Sequence, residues 1–426
     1  MIFAQSHVVM KVLIKHATIN CSSSPFHKQV KDLLVIDGKI QTISDEVNEK
    51  ADTVISHDNL HVSIGWMDVF AHFADPGSDH KETLLSGAAA AAAGGFTDVM
   101  ILPNTNPAIS SRSQVEYILQ KSRTLPIYIH PIATITKDAE GKELAEMYDM
   151  HTGGAVAFSD GKNSLQSPGI LLKALQYVSA INATIIQLPE DKSIGGNGLM
   201  NEGIISTQMG LPGKPAIAEE LMIARDIELL RYTNSRLHIT GISTNKSIEL
   251  IRNAKKDGLH ISCSVTPYHY YFTDDDLVNY DTNLKLNPPL RTKQDRLAIQ
   301  KAVHDGTIDC IASHHLPEHW DDKTCEFEYA KNGMIGLESL FGVMNNGPKE
   351  DNLIEQLTVN PRKIFGLPLP TINEGVPACL TLYNPVEIYT FDETMIRSIS
   401  RNSAFIGKKL KGKVIGIINK NFLIIN

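Results

Sequence analysis

The sequence predicts an α/β protein in which a (β/α)8 TIM barrel carries a small β-sandwich domain formed from both termini. Two observations lead to this prediction. In the middle of the chain, eight short apolar runs alternate with helix-length segments, which is typical of a parallel sheet with crossover helices. At both ends, short strand-like runs and turns follow one another without helical segments. Eight β/α units over about 300 residues match the size of a TIM barrel.

The terminal segments are rich in strand patterns. Near the start, residues 12–14 and 33–40 have strand patterns, and Asp37-Gly38 is a hairpin-turn signal between apolar runs. Near the end, residues 379–383, 414–418 and 422–425 are apolar, and residues 419–421 predict a second hairpin. We therefore assign residues 1–62 and 373–426 to the small β domain and residues 63–372 to the barrel.

The eight central runs are the predicted barrel strands, and the clearest helices between them are residues 81–93 and 216–232. In this fold the active site lies at the C-terminal ends of the strands, so the last residues of each run are the ones to inspect. The predicted strands are residues 64–73, 96–102, 127–135, 155–160, 184–189, 236–243, 259–266 and 308–315.

Composition excludes several classes of partner. The formal net charge is −8 and no run is rich in Lys or Arg, so we expect no nucleic acid partner. No apolar run reaches the roughly 18 residues of a membrane helix, so we expect no membrane association. The 5 cysteines are scattered without a C-x-x-C pair, which predicts reduced thiols in a cytoplasmic protein and no cysteine zinc site.

The ends of the predicted strands carry a series of motifs. They are DVFAHFADPG at 68–77, PNTNP at 103–107, AFSDG at 157–161, VTPYH at 265–269, NPPLR at 287–291 and IDCIASHHLP at 308–317. In order and spacing this series resembles the dihydroorotase branch of the amidohydrolase superfamily, and the resemblance covers nearly the whole chain. It implies a barrel of the metal-dependent hydrolase type and a place in pyrimidine biosynthesis.

The resemblance also implies a reaction and a set of metal ligands. One or two divalent metals, usually zinc, lower the pKa of a bound water, and the resulting hydroxide attacks a ring amide. The family's ligands are His-x-His on strand one, a lysine carbamate or aspartate on strand four, and one histidine each on strands five and six. An aspartate on strand eight completes the set and moves the proton.

Most of these positions carry other residues in this sequence. The lost ligand positions are Phe70, Gly161, Leu188 and Gly241, and His314 stands at the position of the catalytic aspartate. Phe, Leu and Gly side chains have no metal-binding atom. The residual ligand candidates are His72, His314 and Asp160, and a rebuilt metal site would have to use these three, which the demands of ligand geometry disfavour.

Of the substrate contacts that the resemblance implies, Asn104 and Asn287 are retained. Ala74 replaces an arginine that clamps a carboxylate, and Glu318 replaces a histidine. Each retained residue also has a structural interpretation, because asparagine in a tight loop often satisfies backbone groups. Lys162 is a further candidate, as a carbamate or, more simply, as a loop lysine.

Two functions follow from the ligand set. The first is a non-catalytic dihydroorotase-like protein without a cofactor, which acts as a structural or regulatory subunit. The resemblance then implies a homodimer and possibly an aspartate carbamoyltransferase partner. The second is an active dihydroorotase, or a related cyclic-amide hydrolase, with a remodelled site that holds zinc. By ligand count the first is favoured, since a catalytic zinc needs about three protein ligands.

Overall fold

The computed structural model describes residues 10–347 and 350–426, so the first nine residues of the predicted small domain lie outside it. Within these ranges, no helix has both the length and the apolar character needed to cross a membrane. The strands in chain order are β1 Lys11–Ile19, β2 Val30–Ile36, β3 Lys39–Ser44, β4 Thr53–Ile55, β5 His61–Ile64, β6 Trp66–Ala71, β7 Phe96–Ile101, β8 Tyr128–Ala133, β9 Ala157–Phe158, β10 Thr184–Gln187, β11 Met200–Asn201, β12 Gly213–Lys214, β13 Leu237–Ile239, β14 Ile261–Val265, β15 Cys310–Ile311, β16 Leu380–Thr390, β17 Lys409–Asn419 and β18 Phe422–Ile425.

The helices occupy the segments between the barrel strands and the stretch before β16. In chain order they are α1 Leu84–Ala93, α2 Arg112–Lys121, α3 Met147–Thr152, α4 Pro168–Ser179, α5 Lys192–Gly195, α6 Ile204–Met209, α7 Ile217–Thr233, α8 Asn245–Lys256, α9 Pro267–Tyr271, α10 Lys293–His304, α11 Leu340–Met344, α12 Glu350–Leu357 and α13 Val359–Phe365.

Eight parallel strands form the barrel, in the order β6-β7-β8-β9-β10-β13-β14-β15. The ring closes where Ala71, at the end of β6, makes a parallel bridge with His315, which follows β15. Each of the eight predicted apolar runs contains one of these strands, so the predicted fold class is confirmed. The closure places the ends of the first and last strands side by side, and the predicted site residues Phe70, His72 and His314 lie there.

Helix α1 shows how local sequence shapes the barrel. Thr83 caps it by accepting a hydrogen bond from the Ser86 backbone N–H at 3.1 Å, so the helix begins at Leu84, three residues after the start of the predicted segment. Its alanine run packs closely on the sheet. At Gly87 a Cβ atom would lie 2.6 Å from the Phe73 ring, so this position requires glycine.

Strands from both ends of the chain form the second sheet, in the order β18-β17-β16-β5-β1-β2-β3, with β4 paired to β1. Its centre is the antiparallel pairing of β5 with β16, in which Ile64 lies opposite Leu380. The turn between β2 and β3 is Asp37-Gly38, with φ of 48° and 70°, as the hairpin signal predicts. The strands form one hydrogen-bonded sheet, where the sequence analysis predicted a sandwich.

Candidate functional site

Residues at the ends of β6 and β15 form one wall of the barrel mouth. The His72 backbone N–H donates to the His315 carbonyl at 2.8 Å. Phe70 stacks on the His314 imidazole with ring centroids 4.4 Å apart. Phe70 belongs to a buried apolar cluster with Met100 and other residues that fill the barrel. At the first predicted ligand position, therefore, a hydrocarbon ring covers one face of His314.

His314 is the end of a buried chain of hydrogen bonds across three strands. Its Nε2 lies 2.8 Å from Thr240 Oγ1, which accepts from Ser264 Oγ at 2.9 Å. Ser264 in turn contacts His238 Nε2 at 3.0 Å, and Ser262 contacts His238 Nδ1 at 2.8 Å. The hydroxyl of Thr240 therefore engages His314 Nε2 as well as Ser264.

Burial keeps both histidines of this chain neutral. It lowers the pKa of His314 to about 3, and the neighbouring His269 and His238 contribute to the shift. It also lowers the pKa of His238 to about 3, with Lys255 as a second cause. His314 is therefore a weak base at neutral pH.

Two of the lost ligand positions converge on His314. Gly241 has φ of 70°, and a Cβ atom there would lie 2.8 Å from His314 Cε1 and 3.3 Å from Leu188 Cδ1. A histidine at position 241 therefore needs both a strained backbone and the space that His314 occupies. The replacements at 188, 241 and 314 fit one another, and no single reversal restores the ligand set.

Asp160, the remaining strand-four carboxylate, holds the loop after β8. Its Oδ1 accepts from the backbone N–H groups of Ile135 and Thr136 at 2.9 and 3.0 Å, and its Oδ2 accepts from Thr136 Oγ1 at 2.6 Å. Burial raises the pKa of Asp160, and these hydrogen bonds oppose the rise. The Asp160 carboxylate therefore stabilises the loop after β8, and metal binding would disturb these hydrogen bonds.

Asn104 occupies the space where a second strand-four aspartate would lie. Its Oδ1 accepts from the Lys162 backbone N–H at 2.9 Å, and its Nδ2 donates to the Asp160 carbonyl at 3.0 Å. A Cβ atom at Gly161, whose φ is 62°, would lie 1.9 Å from Asn104 Oδ1. Asn104, which was predicted to bind substrate, therefore hydrogen-bonds to the loop after β9.

Asn287, the other predicted substrate residue, is half-buried and forms a closed triangle with two buried side chains. Its Oδ1 accepts from Lys214 Nζ at 2.8 Å, and its Nδ2 donates to Glu190 Oε2 at 2.9 Å. Lys214 and Glu190 also form an ion pair with each other. Lys214 was not among the predicted site residues, because a lysine between Gly213 and Pro215 has no pattern that predicts a buried partner 24 residues away.

His72 is retained at its predicted position, but among the described residues it belongs to no group of three or more potential metal ligands. It is 6% exposed, and its Nδ1 has no hydrogen-bond partner among the described residues. Burial lowers the pKa of His72 well below its usual value, and the charges of Lys162 and Lys81 lower it further. Lys81 pairs with Glu318, the residue at the family's histidine position.

The residues present do not fit a catalytic metal. Across residues 10–347 and 350–426, no group of three or more His, Cys, Asp or Glu side chains has the proximity to hold an ion. His72 and His314 lie on neighbouring strand ends, but the structure does not join them to Asp160 as a ligand set. Phe70 stacks on His314, and Asn104 donates to the Asp160 carbonyl.

Solved structures of hydantoinases share this fold. An L-hydantoinase (dihydropyrimidinase) from Arthrobacter aurescens superposes with a TM-score of 0.85 at 22% identity, over 98% of this chain and 96% of that chain. A D-hydantoinase superposes with a TM-score of 0.82 at 21% identity, over 98% and 95% of the two chains. At this level of identity the likeness supports the barrel fold alone.

Sequence comparison is more specific. The family described as Dihydro-orotase-like matches residues 61–247. A dihydroorotase from Syntrophus aciditrophicus is 37% identical over 95% of this chain and 97% of its own length. A dihydroorotase from Pelotomaculum thermopropionicum is 38% identical over 95% and 96% of the two chains. With this identity over nearly its full length, the chain belongs to the dihydroorotase family.

Proposed function

We propose that this chain is a non-catalytic dihydroorotase-like protein of pyrimidine biosynthesis, which serves as a structural or regulatory subunit. One observation carries the proposal. The positions that should supply metal ligands hold Phe70, Gly161, Leu188 and Gly241, and their neighbours have closed around these replacements. The barrel and the small sheet are retained, so the proposed loss of metal ligands is confined to the mouth of the barrel.

The lost groups are those that make the nucleophile. A metal-bound water has a pKa of about 7, compared with 15.7 in bulk, so a metal provides hydroxide at neutral pH. This chain offers neither a ligand set for that metal nor a carboxylate base at position 314. The neutral imidazole of His314 is a poor substitute, because its pKa lies at about 3 and Thr240 occupies its Nε2.

As part of the proposal, we expect a homodimer that assembles with aspartate carbamoyltransferase and holds no cofactor. The resemblance to inactive dihydroorotase-like subunits supports this expectation. Co-purification from the native host with a tagged chain tests it, because a subunit of such an assembly should recover the transferase in stoichiometric amount. Recovery of the chain alone would contradict the proposed partner.

The alternative is a hydrolase that uses a rebuilt zinc site. The observation in its favour is that His72 and His314 lie at adjacent strand ends, next to the bridge between Ala71 and His315. To complete it, Asp160 would have to give up hydrogen bonds to Ile135 and Thr136. The alternative therefore requires a rearrangement of the loop after β8.

A direct assay separates the two functions. Purified protein, supplied with zinc, is incubated with dihydroorotate, and the formation of carbamoyl aspartate is followed against buffer and against an active family member. The proposal predicts no rate above the buffer background in either direction of the reaction. A rate that disappears in both His72→Ala and His314→Ala would establish the alternative.

A further inference from the structure

The end of the barrel opposite the mouth carries a cleft of about 220 Å³ between three strands and helix α13. Thr184 is the first residue of β10, and Arg236 and His260 come directly before β13 and β14. Because β10, β13 and β14 are parallel neighbours, these residues lie together at the N-terminal ends of the strands. Lys363, on α13, also lines the cleft. The candidate metal site, at the C-terminal ends of the strands, shares none of these residues.

The ionisable side chains that line this cleft are all basic. They are Arg236, His260 and Lys363, and no Asp or Glu is found among the described residues of the lining. The arginine and the lysine contribute two positive charges. The whole chain has a formal net charge of −8, so the charge of the cleft is opposite in sign to that of the protein.

These basic side chains have no counter-charge within the protein. In the described part of the chain, Arg236, His260 and Lys363 make no side-chain hydrogen bond or ion pair. Arg362, next to Lys363, shows the contrast, because it pairs with Asp98 at 2.6 Å. Arg236 is also half-buried, so its guanidinium loses part of its hydration without a partner in return. An anion in the cleft would supply that partner.

We propose that this cleft binds the dianionic phosphate group of a small molecule, with Arg236 and Lys363 as counter-ions and His260 as a further hydrogen-bond donor. The planar fork of an arginine guanidinium can donate to two phosphate oxygens at once. Two cations match the charge of a dianion, whereas a monocarboxylate would leave one of them without a counter-charge. The charge of the lining therefore favours phosphate over carboxylate.

The size of the cleft limits the rest of the ligand. Sites for drug-sized ligands have volumes of roughly 300–1,000 Å³, so a cleft of about 220 Å³ suits a smaller molecule. Leu237, Ile261 and Ile364 also line it and provide an apolar surface for a few carbon atoms. A phosphate monoester of a small alcohol uses both parts of the cleft, and inorganic phosphate uses the basic part alone.

This inference goes beyond the proposed function and does not depend on it. The N-terminal face of a TIM barrel contributes to stability, whereas catalysis takes place at the other face. A ligand in this cleft would contact three strands and α13, and it would stabilise the folded barrel by mass action. The test needs neither dihydroorotate nor a metal, so its failure would leave the proposed function untouched.

Calorimetric titration of the intact protein tests the site. The probes are glycerol 3-phosphate and inorganic phosphate at pH 8, and the controls are sodium acetate and sodium chloride at equal ionic strength. We expect both phosphates to bind, and acetate and chloride to give no binding in the same concentration range. Tighter binding of glycerol 3-phosphate would assign the site to a phosphate ester, and equal binding would assign it to the free ion.

Two variants locate the binding. Arg236→Gln should weaken it about tenfold or more, because a charge-assisted hydrogen bond is lost. Lys363→Gln, at an exposed position where folding is not disturbed, should weaken it about threefold. Arg123→Gln is the matched control, since Arg123 is an exposed arginine outside the cleft, and it should keep the wild-type affinity. No phosphate binding, or wild-type affinity in both cleft variants, would overturn the inference.

Discussion

At the scale of single residues, two of the positions where metal ligands were expected are coupled to their neighbours. Gly241 gives room to His314, and Gly161 gives room to Asn104. The predicted substrate residue Asn104 is held by two hydrogen bonds to the loop it faces. A ligand residue introduced at position 161 or 241 alone would therefore clash with its neighbour.

Gly161→Ala tests this coupling, with Gly210→Ala as its matched control. Both glycines have positive φ, 62° and 68°, but a Cβ atom at Gly210 meets nothing within 4 Å. Both variants should lose about 1–2 kcal/mol of unfolding free energy from the left-handed backbone. Gly161→Ala should lose a further ~1–3 kcal/mol, because it displaces Asn104 from its hydrogen bonds. Equal losses in urea unfolding would show that Asn104 is not held in this way.

At the scale of elements, buried polar groups connect the loops at the C-terminal ends of the strands. The triangle of Lys214, Glu190 and Asn287 joins β12, the segment after β10 and the segment before α10. All three loops face the mouth that would otherwise receive a substrate. The triangle stabilises a closed arrangement in which the Asn287 amide oxygen and one of its N–H groups are already engaged.

Lys214→Met should destabilise the protein by about 3–5 kcal/mol, because it leaves the Glu190 carboxylate buried without a cation. The double variant Lys214→Met with Glu190→Gln should recover part of that loss, since no buried charge then remains unpaired. Chemical denaturation of the wild type, both single variants and the double variant measures the coupling. Simple additivity of the two single effects would contradict the proposed ion pair.

Helix α7 carries a second buried charge, with a consequence for pH. Burial raises the pKa of Asp226 to about 6, although Arg225 opposes the rise. The folded pKa is above the unfolded value, so the folded state binds the proton more tightly. Stability from this group is therefore full below about pH 4 and falls by up to ~3 kcal/mol as pH rises through 6.

Asp226→Asn should remove this fall, and unfolding free energies measured from pH 4 to 7 will show it as a flatter profile. Glu228→Gln is the control on the same helix, since the Glu228 side chain is 71% exposed. That variant should keep the pH profile of the wild type. A wild-type profile in both variants would mean that Asp226 is ionised throughout this range.

At the scale of the whole molecule, the fold was predictable because it depends on local periodicity. All eight barrel strands lie in the predicted runs, including β9 and β15, which have only 2 residues each. Helices can begin a few residues from their predicted start, because a capping residue such as Thr83 determines the first helical residue. The terminal segments were predicted as strands, but their joining into one sheet depends on long-range pairing, such as that of β5 with β16.

The site was predictable only in part. Alignment of motifs placed Phe70, Leu188, Gly241 and His314 at the strand ends, where the structure has them. It did not predict that Asn287 binds Glu190, 97 positions earlier in the chain, or that Thr240 occupies His314 Nε2. Contacts of this kind depend on which side chains the closed barrel brings together, and they leave no pattern in a single sequence.

The central claim is that the mouth of this barrel no longer forms a metal site, and metal content tests it most directly. Elemental analysis is made on protein purified without chelator or nickel resin, before and after incubation with zinc and removal of excess metal. The account predicts no stoichiometric zinc in either sample. One or two zinc ions per chain, lost when His72 and His314 are both replaced by alanine, would contradict it and establish a rebuilt metal site.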